Sequence, residues 1–235
     1  MAAIRLIVTG DLEELALHES LRRIFGDSRH DGEEVVWDPP RKLHGATSRR
    51  LSMSERPSRP MLALAKAMLS EVGIGKRGTP ADLVVVIDDV ELDNVDREAV
   101  IVKHFQEALE SQLEGHSLQA RERYQSLLRE RCSFHLLRPM VESYFFGDSD
   151  ALRSAGVQST PTLRHADVEQ FEVIDSDPDW LQECQDSNQR QQHARPWWRH
   201  ECHPKHYLEH LLGRDNVIYD EKIHGEPALQ NLAWM

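Results

Sequence analysis

The chain has 235 residues, of which 40% are hydrophobic and 6% aromatic, and it carries a formal net charge of −12. That length suits one large α/β domain or two small ones, and the acidic balance argues against nonspecific coating of nucleic acid while leaving room for a local basic channel. No apolar run approaches the ~20 residues that span a bilayer, the N-terminus lacks the pattern of a cleaved signal, and Cys132, Cys184 and Cys202 are too few and too scattered for a disulfide scaffold, so a soluble, cytoplasmic protein without a membrane partner is expected.

Ile4 to Val8 reads as a first strand, turning at Thr9-Gly10, where glycine permits a tight bend. Asp11 can cap a helix over Leu12–Phe25, whose Leu12, Leu15, Ala16, Leu21 and Ile24 recur at helical spacing; Gly26 ends it. Glu34 to Trp37 is a short second strand, closed by Asp38-Pro39-Pro40. Residues 41–59 are basic and irregular: Arg41, Lys42, Arg49, Arg50, Arg56 and Arg59 face only Glu55, and prolines and serines interrupt any period. Helix returns over Met61–Val72, and a loop from Gly73 to Pro80 leads into the next strand.

That strand, Leu83-Val84-Val85-Val86-Ile87, runs directly into Asp88, Asp89, Glu91 and Asp93. A short apolar, β-branched run reads as a strand buried on both faces, as in a parallel sheet. Ligands of open α/β sheets gather beyond the carboxyl ends of the strands. Two readings of the acids stay open: oxygen ligands for a hard cation such as Mg²⁺, or caps that complement the dipole of the next helix.

Further along, helices are expected over Val95–Glu114 and Leu118–Glu130, then a strand over Ser133–Leu137 and a helix begun by Arg138-Pro139. Asp148 to Leu152 reads as a fresh cap and turn. From Gly156 to Arg199 the pattern weakens, as an ordered loop or a mobile lid; Lys205–Leu212 is a short amphipathic helix stopped by Gly213. The alternation of strand and helix implies a mostly parallel sheet covered by helices.

Some motifs point to more than the residues support. His200, Cys202, His203, His206 and His210 crowd together, but no Cys-x-x-Cys pair accompanies them as a zinc site needs. Gly73 to Gly78 lacks the full spacing and the Ser/Thr of a phosphate loop, and reads as a turn. Trp197-Trp198 suits stacking on bases or anchoring a loop.

The motif order resembles the TOPRIM (topoisomerase–primase) superfamily, and more closely a bacterial TOPRIM-like family associated with ATPases in phage defence. Leu6 to Glu14 is similar to the family's first strand and turn, with Gly10 and Glu13 in place; Val84 to Glu91 is similar to its Asp-x-Asp strand. Leu137 to Asp148 resembles its central segment, and His203 to Leu208 with Tyr219, Lys222 and His224-Gly225 its C-terminal signature. The resemblance implies a Rossmann-like, mostly parallel α/β core over 1–155 and an irregular, helical C-terminal extension over 156–235. It implies Mg²⁺- or Mn²⁺-assisted phosphodiester cleavage with an ATPase partner. Asp88, Asp89 and Glu91 would hold the metal, Glu13 and Glu142 would ligate or move protons, and Lys205 and Lys222 would stabilise phosphate charge. Read from its residues, the basic stretch with Arg41, Lys42, Arg49 and Arg50 would follow a nucleic-acid backbone, where binding releases counterions, or else form a flexible, solvated loop or a docking arm for an acidic partner. The chain departs from the family at Thr9 and Val90, where acids are expected. Threonine takes no proton at neutral pH, so a degenerate, non-cutting subunit is the alternative. A homo-oligomer is compatible with the sequence.

Overall fold

The structure, a computed structural model of the chain, describes residues 2–25, 29–30, 33–75, 79–174, 176–190 and 200–234. Its contacts divide into two compact units, Met1–Leu137 and Arg138–Met235. The stretch 138–155, expected with the α/β core, groups with the C-terminal region.

In the first unit, β1 (Ala2–Val8), β2 (Arg29–His30), β3 (Glu33–Lys42), β4 (Leu83–Asp89) and β5 (Cys132–Leu137) form one sheet in the order β2-β3-β1-β4-β5. β3, β1, β4 and β5 pair in parallel, and only β2 runs antiparallel. The α/β expectation therefore holds. α1 (His18–Phe25), entered through a π-helical turn (Glu13–Leu17), follows β1; α2 (Arg59–Glu71) follows β3; α3 (Glu98–Leu113) and α4 (Leu118–Arg131) lie between β4 and β5.

The core is apolar sheet against apolar helix. Ile7, Val84 and Val86 pack with Met61, Leu64, Ala65 and Met68 of α2 and with Val100, Ile101, Phe105 and Ala108 of α3. Phe105 stacks on Phe134 of β5 at 4.2 Å. Burying each large side chain contributes roughly 1.5–3 kcal/mol, so this layer fixes the sheet that carries the strand ends.

β3 is longer than its sequence suggests. It runs through Asp38-Pro39-Pro40 to Lys42, where the prolines were expected to end it. Pairing with β1 shifts register between Arg5↔Asp38 and Ile7↔Arg41, leaving an extra residue on β3. β2 pairs only with Glu33 and Glu34. Prolines lack an N–H but sit without cost at such a bulge, on a stretch that β2 does not cover.

The second unit is helical. A 3-10 turn (Val141–Gly147) stands where a helix from Arg138-Pro139 was expected, and Asp148 caps α5 (Ser149–Ser154), accepting from the amides of Asp150 and Ala151. α6 (Pro178–Arg190), α7 (Pro204–Gly213) and α8 (Glu226–Asn231) complete it. α6 lies within the stretch read as loop or lid; its Trp180 and Cys184 are buried one helical turn apart. Trp197-Trp198, Gly26 and the end of the Gly73–Gly78 segment lie outside the described residues.

Candidate functional site

β1 and β4 are neighbours, yet the chain passes from β1 to β3 on one side before returning to β4 on the other. Strand order reverses there, and in open α/β sheets the crevice beyond the carboxyl ends at such a reversal is where ligands bind. Register carries Thr9, one residue past β1, opposite Asp88 of β4, since Ile7 pairs with Val86. The Thr9 hydroxyl donates to Asp88 Oδ1 at 2.5 Å.

Asp88 is fully buried. Its second oxygen, Oδ2, is buried without a hydrogen-bond partner among the described residues. Burial pushes its carboxyl up to about 7; the Thr9 hydroxyl and the amides of Ala46 and Asp89 oppose that rise, and the Glu91 charge adds to it. A carboxylate so desolvated, at a strand-order reversal, has the marks of a functional group.

Two further acids stand at this end. Glu13 is 1% exposed, and its carboxylate lies over Gly10. A Cβ on Gly10 would come within 2.0 Å of Glu13 Oε2, so only glycine lets that side chain fold back on the strand end. Glu91 has φ +63° and ψ +152°, a backbone region that belongs to glycine. Successive strand residues point to opposite faces, so Asp88 and Asp89 diverge, and Asp88 shares its surroundings with Glu91. Among the described residues, no three His, Cys, Asp or Glu side chains form a group ready to hold a metal ion. The crowded histidines follow suit: the His203 and His206 rings stack at 3.6 Å, and His210 Nδ1 contacts Glu183 at 2.6 Å.

The basic stretch is irregular but built in place. Asn94, fully buried, accepts the Leu51 amide at 2.9 Å and donates to the carbonyls of Thr47 (2.9 Å) and Arg49 (3.0 Å). Arg97 and Lys103 donate to the carbonyls of Leu51 and Met53, each at 3.0 Å, and His104 Nε2 lies 2.8 Å from that of Ser52. The Thr47 hydroxyl donates to the Asp89 carbonyl. Side chains of the segment after β4 thus read the loop's backbone, and the loop's own start, at Ala46, faces Asp88.

Arg49 and Arg50 ride on this loop as exposed side chains; Arg49 pairs with Glu55 at 3.2 Å, and Arg50 lines a cavity of about 520 Å³ with Asp93, Asp96 and Arg97. Arg41 and Lys42 end β3 and are held by acids: Arg41 by Glu71 at 2.9 Å, Lys42 by Asp11 and, at 3.6 Å, Glu14.

Glu142, Lys205 and Lys222 belong to the second unit. Lys205 binds Glu221, lies 3.9 Å from Glu142 and covers the Tyr219 ring at 5.9 Å. Burial pulls its pKa down, but Glu142, Glu221 and Glu209 outweigh that and hold it above the ordinary lysine value. Lys205 is therefore a cation committed to carboxylates. Lys222 is exposed.

Thr9 enters the sequence pattern as a missing acid, yet it is the residue that orients Asp88. Its signal was register: it ends the strand beside the acid-tipped one. Asn94 gave no signal, because an Asn inside Asp93-Asn94-Val95-Asp96 reads as an ordinary cap.

The fold and site define an α/β protein with a desolvated carboxylate at its strand-order reversal. Comparison with protein-family models, with curated proteins and with solved structures returns no match.

Proposed function

We propose that the chain is a TOPRIM-like, divalent-cation-dependent phosphodiester hydrolase, a nuclease that acts with an ATPase partner in anti-phage defence. The observation that carries the chemistry is Asp88: a buried carboxylate with one oxygen fixed by Thr9 and the other, among the described residues, without a hydrogen bond. The nucleic-acid, ATPase and defence parts rest on the family resemblance of the motifs.

Asp88 and Glu91 are oxygen donors of the kind that Mg²⁺ or Mn²⁺ takes, although among the described residues they belong to no preassembled group of three. Such ions are commonly held by one or two carboxylates and completed by water and substrate phosphate. Asp88 and Glu91 would hold the ion, while Asp89 points to the other face of the sheet. The bound ion supplies polarisation of a phosphoryl oxygen and acidification of a bound water. Thr9 keeps Asp88 in one orientation, Glu13 accepts a proton in place of the acid that Thr9 replaces, and Arg49 and Arg50 stabilise phosphate charge from the pinned loop.

Mn²⁺ titration tests the site directly. A ligand that binds only the folded protein stabilises it by about 2.7 kcal/mol at a hundredfold excess over Kd. Mn²⁺ should raise the melting temperature of the wild type but not of Asp88→Ala, and cleavage of plasmid DNA or structured RNA should be lost in Asp88→Ala/Glu91→Ala. Undiminished cleavage by that double variant sinks the assignment. A second reading has one observation in its favour: Thr9 cannot take a proton, and its hydroxyl is already engaged by Asp88. On that reading the chain binds nucleic acid or a partner without cutting; Mn²⁺ binding with no cleavage, ATPase partner present, would select it.

A further inference from the structure

Resting on the reading of Asp88 as a carboxylate that meets a ligand, we propose that residues 45–50 of the basic loop are a lid over it, hinged at Gly45 and anchored at Leu51, and that the lid is closed in this structure. Asp88 is fully buried, and Glu13 at the same sheet end nearly so. A hard cation keeps several of its positions for water and phosphate, so a carboxylate sealed from solvent takes none until its cover moves. The Thr9 hydroxyl and the amides of Asp89 and Ala46 hold the Asp88 carboxylate. Thr9 follows β1 and Asp89 ends β4, so the sheet sets both; Ala46 belongs to the loop between β3 and α2.

Hydrogen bonds keep the lid down. The Ala46 amide donates to Asp88 and the Thr47 hydroxyl to the Asp89 carbonyl. The Asn94 amide group donates to the carbonyls of Thr47 at 2.9 Å and Arg49 at 3.0 Å. Opening exchanges each of these for a bond to water, so its net cost is far below the gross strength of the bonds.

The apolar grip is uneven. Ala46 gives the core a single methyl group, whereas Leu51 buries a whole isobutyl group. Leu51 is also held at its amide by Asn94 (2.9 Å) and at its carbonyl by Arg97 (3.0 Å). Burial stabilises in proportion to apolar area, so the segment is sealed weakly over Asp88 and anchored firmly at Leu51. Gly45 stands at the weakly held end. Its φ is not positive, and a Cβ there would meet nothing within 4 Å, so the closed form makes no demand for glycine. What glycine adds is backbone freedom, which a hinge uses. Ser48, Arg49 and Arg50, between hinge and anchor, are exposed.

The test labels the carboxyls of the full chain with a water-soluble carbodiimide and glycine ethyl ester, read by peptide mass spectrometry against the exposed Asp215. Asp88 should label at least about tenfold more slowly than Asp215. Low urea should leave that rate unchanged, because lifting a short segment exposes little surface. Thr47→Val removes the bond to the Asp89 carbonyl and should speed labelling of Asp88 about fivefold. Gly45→Ala fits the closed form and should slow it about two- to fivefold; it carries the test alone if Thr47→Val does not fold. A ligand that meets only the open form is weakened by the fraction open, so Thr47→Val should tighten apparent Mn²⁺ binding by the same factor that speeds labelling. The lid is overturned if Asp88 labels as fast as Asp215, if its rate follows urea from the start as global unfolding does, or if both variants label like the wild type. Locally gated labelling without any Mn²⁺ response keeps the lid and faults the metal reading instead.

Discussion

Asp88 and Asp177 are both buried carboxylates, 0% and 7% exposed, and the two units treat them in opposite ways. Burial pushes both toward the neutral acid. At Asp177 the Tyr207 hydroxyl (2.7 Å), the Trp180 amide, Arg214 (2.5 Å) and His210 overcome it, and the carboxyl ends below its ordinary range. At Asp88 no cation among the described residues compensates, and the carboxyl rises to about 7. The first arrangement is a joint: one acid caps α6 and binds α7. The second leaves a desolvated carboxylate uncompensated at the strand-order reversal, at a cost in stability, which is the pattern that separates candidate functional sites from structural ones.

The largest expected effect breaks the joint. Asp177→Ala leaves Tyr207 without its acceptor and uncaps α6, and removing one member of a buried charge network costs roughly 3–5 kcal/mol. Arg214 is 45% exposed and keeps much of its hydration, so about 3–4 kcal/mol is expected from the melting curve. A loss below about 1 kcal/mol would mean that Asp177 is no more than a surface ion pair.

Asp88→Asn should act in the other direction. A folded-state pKa above the unfolded one means the folded protein binds the proton more tightly. That contribution is fully present below about pH 4, declines as pH rises through about 7, and then levels off. Each tenfold difference in proton affinity between the folded and unfolded chain is worth about 1.4 kcal/mol, so the rise from 3.8 to about 7 corresponds to about 4 kcal/mol; less the weaker hydrogen bonds that an amide oxygen accepts from Thr9 and the backbone, Asp88→Asn should stabilise the protein by about 3 kcal/mol at pH 8 and by almost nothing at pH 4. Asp177 has the opposite sign: its contribution is present at neutral pH and is lost as pH falls through its depressed pKa. Denaturant titrations of wild type and both variants across pH 3–9 separate the two. A destabilised Asp88→Asn at pH 8 would remove the contrast.

Asn94→Ala sharpens the contrast within the first unit, because it removes the residue that presents the basic loop to the Asp88 end of the sheet. Three hydrogen bonds to loop backbone are lost, and a global cost of about 2–3 kcal/mol is expected. Limited proteolysis should open residues 47–53 first. On the proposed reading, the Mn²⁺ response rests on Asp88 and Glu91 and should survive, while the proposed affinity for nucleic acid falls. Loss of both together would show that loop and acid centre are one unit.

The parallel sheet was legible because apolar strands and amphipathic helices alternate at two different periods, and burial of both kinds of face leaves few architectures. The acid-tipped strand was legible for the same reason: Asp88 follows a run that must lie inside. The boundary of β3 was not, since prolines stop a strand only where their missing N–H is needed, and that depends on the neighbour. Nor was α6 legible: a polar run shows no stripe until Trp180 and Cys184 are known to face a core. Asn94 and Thr9 were hidden more deeply. Their roles lie in partners 43 and 79 positions distant in sequence, and no local pattern reports such pairs. The family resemblance marked positions 9 and 90 as departures; at position 9 the fold instead supplies a hydroxyl that grips the next strand.

The smallest effect concerns Glu91. Its backbone sits at φ +63°, ψ +152°, a conformation that a side chain makes costly and glycine does not. Strain of this kind persists only where the surroundings impose it, and here the imposed turn keeps a carboxylate beside Asp88. Glu91→Gly should therefore stabilise the fold by about 1 kcal/mol, partly offset by the greater freedom glycine has when unfolded. It should also lower the apparent pKa of Asp88, because a neighbouring negative charge is gone. Carbon-13 NMR of the Asp88 carboxyl reads that second effect independently of stability. A Glu91→Gly protein that is more stable, titrates lower at Asp88 and no longer responds to Mn²⁺ would tie the strain to the ligand. One that is more stable and still binds Mn²⁺ would leave Glu91 as a strained turn with no part in the site.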